Sequence, residues 1–460
     1  MTQYHSRESW AVVGGGFLGM TLALRLAQQG KTVTLVEAAK SLGGLASAWQ
    51  IGDLVWDRHY HVILRSDTHL RAVLRELGLE DQLQWRKVRT GFFVNSKLYS
   101  MSNMREFLEF PPLNLWEKFR LGTTILRASR IRDSKTLEQV PVEDWLERWS
   151  GPAVTQKIWL PLLRSKLGDG YRDVSAAFIW TTIARMYAAR RTGAKSEMFG
   201  YIPGGYARIL ENFEGLLRRV GVRLSLGEPV RAIAPAKNGE LEIETSCGRK
   251  ENFTQVVVTA AAGWAGEMCP ALTAQEKDRL ARIKYQGIIC ASLLLKNSLS
   301  PFYITNITDA GVPYTAVIEM STLVDKRQFG GRALVYLPKY LSPDSPYFHG
   351  TDEQIREDFV SGLERMYPQF QRKDVLCFQI SRVKHLLPIP TINYSANALR
   401  SGTSIPGLYI VNSSQIVNGT LNVNEIVRLA DAAAQRFTAP VVQGISNRQS
   451  LTHELVATAS

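Results

Sequence analysis

Ala11-Val12-Val13-Gly14-Gly15-Gly16-Phe17-Leu18-Gly19 carries the architecture of this chain. The apolar run predicts a buried strand, and the glycines at 14, 16 and 19 match G-x-G-x-x-G. Helical apolar spacing follows from Met20 to Gln29, and a second apolar strand, Val33 to Val36, ends on Glu37. Strand, glycine turn, helix, strand and acid in that order describe a dinucleotide-binding βαβ unit. Gly14 suits the tight turn, Gly16 the approach of backbone to a pyrophosphate, and Gly19 close helix–strand packing. Phe17 and Leu18 open a helix whose unpaired N–H groups and partial positive charge suit phosphates. Glu37 lies 18 residues beyond Gly19, with Ala38 beside it, where an acid accepts hydrogen bonds from a ribose.

The residues just after the acid favour FAD over NAD. Ser41-Leu42-Gly43-Gly44-Leu45-Ala46-Ser47 contains a paired glycine that permits a second close backbone approach. The stretch from Val12 to Ser47 resembles the start of the flavoprotein superfamily of protoporphyrinogen oxidase, phytoene-type desaturases, monoamine oxidases and UDP-galactopyranose mutase. The resemblance implies that Gly43, Gly44, Leu45 and Ala46 run along the pyrophosphate and ribityl chain. The family pattern usually has Arg after the second glycine, where this chain has Leu45.

Three later stretches extend the likeness. Gly52 to His61 is similar to the family's G-x-x-x-D-x-G-x-H segment, which implies His61, and His59 beside it, near the isoalloxazine. Gly204-Gly205-Tyr206 and the helical stretch to Val220 resemble the return to the FAD domain, with Val230 on the strand beside the adenine. Pro406 to Asn412, then Asn422 and Val423 opening a helix to Phe437, resemble the closing strand and helix that cap the flavin. Asn412-Ser413-Ser414 stands where many relatives have an acid.

The expected fold is α/β: a Rossmann-like FAD-binding domain, discontinuous in sequence, with a mixed α+β substrate domain. Residues 1–90, 201–265 and 395–437 form the first, and residues 91–200 and 266–394 the second. Residues 438–460, rich in Ser, Thr and Ala, read as a flexible tail. Gly91 to Tyr99 reads as a hairpin, Val174 to Arg190 and Asp352 to Met366 as helices, and Gly287 to Leu295 and Ala333 to Leu337 as strands.

At 460 residues and 45% hydrophobic content the chain can bury a large core. Four scattered cysteines have no metal-ligand spacing and read as reduced residues of a cytoplasmic protein. No apolar run reaches about 18 residues, so no spanning helix is expected. Nor is a metal site, since the seven histidines are dispersed. The net charge of +13 suits an anionic membrane surface or an acidic substrate; with no recognised binding module, nucleic acid is not expected. Leu113 to Arg132 mixes Leu115, Trp116, Phe119, Leu126 and Ile131 with Lys118, Arg120, Arg127, Arg130 and Arg132. Such a helix can lie peripherally on the inner membrane surface or pack on the protein's own core.

Among chemical candidates, His61 and His59 could move a proton or stabilise charge; on a strand they would share one face, with Tyr60 opposite. A structural histidine bonded to backbone is the competing reading. Arg382, in Ser381 to Pro388, looks like the family run that enters the flavin site, where a guanidinium could clamp a carboxylate or phosphate. A salt-bridged Arg382 is the alternative. Lys166 could meet an anionic substrate or merely oppose a helix dipole. The leading expectation is an FAD-dependent oxidoreductase acting by hydride transfer to flavin N5 on a small apolar or anionic organic substrate. A reduced-flavin sugar-nucleotide mutase and a non-catalytic flavin-binding protein remain as alternatives.

Overall fold

A computed structural model of the chain describes residues 8–131, 133, 135–191, 198–417 and 419–438. The expected tail therefore lies, but for Thr438, outside the described residues.

Five parallel strands form the first sheet: β1 (Ser9–Val13), β2 (Thr32–Glu37), β3 (Arg223–Leu226), β4 (Gln255–Val258) and β5 (Leu408–Ile410), in the order β3-β2-β1-β4-β5. The direction of winding reverses between β1 and β4, which places a ligand crevice outside the carboxyl ends of the strands at that point. Register brings Val36, Val13, Val258 and Ile410 into one row, so the residues after each strand gather along one edge. The helix Phe17–Gln28 packs on the helix Val423–Thr438, with Leu22 and Leu26 meeting the small side chains of Ala430, Ala433 and Ala434 in one buried cluster. Alanines there let the two helices approach closely.

Between β3 and β4 the chain makes a three-stranded antiparallel meander, Val230–Pro235, Leu241–Thr245 and Lys250–Phe253. Only its first strand was expected, although Asn238-Gly239 is an ordinary turn signal.

A seven-stranded sheet builds the other half. Its order is Val375–Pro388, Tyr285–Leu295, Ala333–Leu341, Ala316–Glu319, Ile304–Ile307, Thr90–Val94 and Lys97–Ser100. The last two form the expected hairpin, with Asn95 and Ser96 at positive φ in its turn. Tyr285–Leu295 is buried throughout, because both faces of the sheet are covered. Ile289, Ala291, Leu293 and Leu295 face the helix Asp352–Met366 through Ile355, Phe359 and Leu363. Ile288, Cys290 and Leu294 face the opposite way, toward Ile51, Trp56 and Tyr336.

Residues 104–191 are mainly helical around a separate apolar cluster centred on Trp145, Leu146, Ile158 and Leu163. The strand Met198–Tyr201 straddles the boundary expected at 200/201; it pairs with Ile63–Leu64 and Gln84–Lys87, so both blocks contribute to that small sheet. All four cysteines are free, and Cys269 and Cys290 are buried. Among the described residues no helix is long and apolar enough to cross a membrane, and no cluster of ligands could hold a metal ion.

Candidate cofactor and substrate site

The edge after the parallel strands collects most of the residues expected to bind the cofactor. Gly14 follows β1 at φ +112°, and a Cβ there would meet Thr259 Oγ1, just beyond β4, at 2.3 Å. On Gly19 a Cβ would lie 1.8 Å from the Gly14 carbonyl oxygen, so the helix presses on the turn. Gly16 is different: a Cβ there would meet nothing within 4 Å. Open space thus lies above the residue that starts the helix. No side chain caps that helix and its first turn carries no acid, which leaves its N–H groups and positive dipole end to a ligand. Phe17 and Leu18 turn their side chains inward, Phe17 onto Tyr206 and Phe213, so only their backbone faces that end.

The paired glycines lock onto the same turn. Gly43 N–H donates to Gly15 O at 2.8 Å, and a Cβ on Gly44 would sit 3.1 Å from Gly16 Cα. Gly43 adopts φ +120°, which an L side chain would resist. Leu45 and Ala46 continue in a short helical turn; the Leu45 side chain is 37% exposed and Ala46 is buried. Both Glu37 carboxylate oxygens accept backbone N–H groups, from Gly15 and Ala39, and each keeps a lone pair for a ribose hydroxyl. Glu228 N–H donates to Glu37 O at 3.0 Å, which carries the chain past Ala38 into Val230.

At the far side, Asn412 follows β5, buried, with Oδ1 accepting from Ser414 and Nδ2 without a partner. Asn422 caps the closing helix by accepting from Glu425 N–H, and Val423 is that helix's first residue. A second unpartnered polar atom, Ser47 Oγ, follows the paired-glycine turn. Glycine contacts that exclude Cβ atoms, an open helix N-terminus and orphaned buried polar atoms on one edge fit a dinucleotide with a flavin end.

His59 and His61 lie in a loop, not on the strand their alternation suggested. His59 Nδ1–H donates to Leu45 O at 3.1 Å, because a carbonyl can only accept; Nε2 is left as a buried acceptor with no partner. His61 Nδ1–H donates likewise to His59 O at 2.9 Å, and its ring stacks obliquely on Tyr206. Burial pushes both imidazoles down to about 4, helped at His59 by the Arg58 guanidinium and at His61 by His59. That favours the neutral imidazoles at pH 7, which offer lone pairs and low basicity. A cavity beside His61 is lined by Trp56, Tyr201, Tyr206 and Met320.

Arg382 is not at this site. In register it opposes Ile289, so it points to the face of the sheet covered by Asp352–Met366. There it donates to Gly350 O at 2.9 Å and pairs with Asp352 at 2.6 Å. Lys384, on the same face, lies over Phe348. His385 points the other way, edge-on to Trp264 and Tyr285, with Nδ1 unpartnered.

Other side chains gained importance only in three dimensions. Asp57 Oδ1 accepts from Tyr206 N–H at 2.7 Å at the start of the helix Gly205–Arg219, and Tyr336 donates to the Asp57 carbonyl. Burial raises its carboxyl to about 7 against the backbone N–H groups of Tyr206 and Ala207, which lower it. Tyr60 OH meets Tyr340 OH at 2.9 Å, and Lys166 Nζ lies 5.8 Å from the Tyr340 ring. Burial, with Arg185 nearby, pushes Lys166 below the ordinary lysine value. Lys166 does lie in the last turn of the helix Leu160–Leu167, as the helix-dipole alternative has it, and its approach to Tyr340 depends on a strand far away in sequence. Asp57 does stand in the recognised Gly52 to His61 segment, and that signal could have marked it.

Residues 19–405 match the flavin-containing amine oxidoreductase family. The chain belongs to that family, and its cofactor is FAD. It is 24% identical over 212 residues to 15-cis-phytoene desaturase of Synechococcus elongatus, a match covering 42% of this chain and 44% of the desaturase. It thus spans less than half the length of that relative. An oxidoreductase from Methanosarcina mazei superposes with TM-score 0.72 at 17% identity, covering 93% of this chain and 100% of that one. Reduced UDP-galactopyranose mutase superposes with TM-score 0.73 at 14% identity, covering 94% and 95%. At such identities the two structures speak for the fold alone. Family and sequence relatives support an oxidoreductase.

Proposed function

We propose that this flavoprotein dehydrogenates an apolar organic substrate, of polyene type, held between the nucleotide-binding half and the seven-stranded sheet. The wall around Tyr60, Tyr336 and Tyr340 carries this reading: aromatic, with Tyr336 buried and Tyr60 and Tyr340 half-buried, and continuous with Cys290, Ile288 and Met320. Bound FAD would supply the acceptor for a hydride equivalent, two electrons with one hydrogen, from the substrate.

The chain's own groups hold and exclude. Burial keeps the Tyr60 hydroxyl protonated and raises Tyr340 to about 12, so the pair stays a neutral hydrogen-bonded gate. Neutral His59 and His61 offer lone pairs that orient bound groups without placing charge beside an apolar chain. The likeness to a phytoene desaturase favours a polyene as the first substrate to test. A sugar-nucleotide mutase would need cations on a diphosphate, and Arg382, the arginine considered for that clamp, is held by Gly350 and Asp352.

The test is anaerobic titration of the purified flavoprotein with 15-cis-phytoene, putrescine and UDP-galactopyranose, following the flavin bands. Bleaching by the polyene alone is expected. Flavin that only dithionite reduces would transfer the reading to the mutase or to a non-catalytic flavin protein.

A further inference from the structure

Exposed apolar surface is unevenly spread over the molecule. Among the described residues ten large hydrophobic side chains are exposed, and six of them, Met104, Leu108, Leu115, Trp116, Phe119 and Leu126, fall between residues 104 and 126. They belong to the helices Met104–Glu109 and Leu115–Arg130, joined through Pro111-Pro112 and tied by Lys118 Nζ donating to Leu108 O.

The second helix buries Leu121, Thr124 and Ala128, but its first turns reverse the usual sidedness. Its charged Glu117 and Lys118 point inward, where Glu117 pairs with Lys157 and accepts from Asn114 N–H. Leu115 at 76%, Trp116 at 64% and Phe119 at 59% exposure point outward. With Leu126 they span an arc of about 100° at 3.6 residues per turn. Trp116 and Phe119 stack on each other, which presents one broad aromatic surface. Exposed Arg130, and Arg127 with its guanidinium stacked over Trp149, follow at the end of the helix, while its one acid, Glu117, is turned away. Arg105 and Glu109 on the neighbouring helix neutralise each other.

We propose that this face docks on an anionic lipid surface, with Leu115, Trp116 and Phe119 entering the headgroup–acyl boundary and Arg127 and Arg130 meeting lipid phosphates. Charge complementarity selects lipid: a second copy would bring the same arginines, whereas anionic headgroups bring the opposite sign. The inference is independent of the redox reading, because lipid binding is measured without turnover.

The experiment is co-sedimentation of the full-length holoprotein with phosphatidylglycerol-containing vesicles, pure phosphatidylcholine vesicles and no vesicles. Binding to the anionic vesicles is expected, roughly ten-fold or more tighter than to phosphatidylcholine and weakened by salt. Trp116→Glu with Phe119→Glu should reduce it to background while flavin content and melting temperature stay unchanged, since both side chains are exposed. Arg127→Gln with Arg130→Gln should erase the preference for anionic lipid. Equal sedimentation with and without vesicles, or full binding by the Trp116→Glu/Phe119→Glu variant, would overturn the proposal. So would a lipid-independent dimer in analytical ultracentrifugation that the same variant dissociates, without any vesicle binding.

Discussion

The nucleotide-binding edge and the substrate wall proposed above are made of different material. The nucleotide side is backbone: glycines that admit no Cβ, a helix start without a cap, and N–H groups aimed outward from the end of β1. The opposite side is made of side chains from remote segments, with Tyr60 meeting Tyr340 across 280 residues of sequence. A backbone wall is specified by a few adjacent residues. A side-chain wall exists only after two strands and a loop have met.

The largest expected effect tests the backbone wall. Gly19→Ala places a Cβ against the Gly14 carbonyl and should yield protein without flavin and with a lowered melting temperature. Gly16→Ala sharpens the contrast, because its Cβ meets no protein atom. It should fold normally yet bind FAD about ten-fold more weakly, roughly 1.4 kcal/mol, in a flavin-release titration. Unchanged affinity would remove the pyrophosphate from Gly16.

Next comes a pH effect from the junction of the two walls. His59 and His61 take up protons near 6.5 when unfolded but only near about 4 when folded, so their contribution to stability is present above 6.5 and lost as pH falls toward 4. Asp57 opposes them: its folded carboxyl protonates near about 7 and its unfolded one near 3.8, so folding is favoured as pH falls through that window. Asp57→Asn keeps an oxygen for Tyr206 N–H but removes the opposing term. Thermal melts across this range should show the variant losing stability more steeply below 6.5 than the parent.

On the side-chain wall, Tyr340→Phe leaves the Tyr60 hydroxyl without its partner, at a cost of about 1 kcal/mol. Flavin content should hold while the rate of substrate-dependent flavin bleaching changes; an unchanged rate would take the tyrosine pair out of the substrate's path. Arg382→Ala should do least, leaving flavin reduction within about two-fold and costing roughly 0.5 kcal/mol, as an exposed ion pair does. A large loss of activity in that variant would return Arg382 to the site.

Much of the cofactor side was legible because it depends on local conformation. A glycine turn between an apolar strand and a helix has few backbone solutions, and Gly14 and Gly43 declare theirs by residue type. The histidine pair was legible as a location and not as a geometry. Period-2 facing assumes a strand, and residues 58–62 form a loop in which His61 Nδ1–H donates to the His59 carbonyl while His59 Nδ1–H reaches out to Leu45 O. The acid regions differ too: Glu37 was evident from its distance to the glycines, whereas Asp57 became a junction only when the helix Gly205–Arg219 arrived on it.

By itself the sequence determined the βαβ unit and the FAD family, since each rests on adjacent residues with restricted backbone options. Tertiary structure alone decided sidedness. Tyr285–Leu295 is buried on both faces and so shows no alternation, which leaves the direction of Arg382 to its register against Ile289. It also turned Trp116 and Phe119 outward and Glu117 inward, because Lys157, some 40 residues away, supplies the buried carboxylate with its partner. A residue's type sets what it can bond, but the face it occupies is set by the distant segment that packs there.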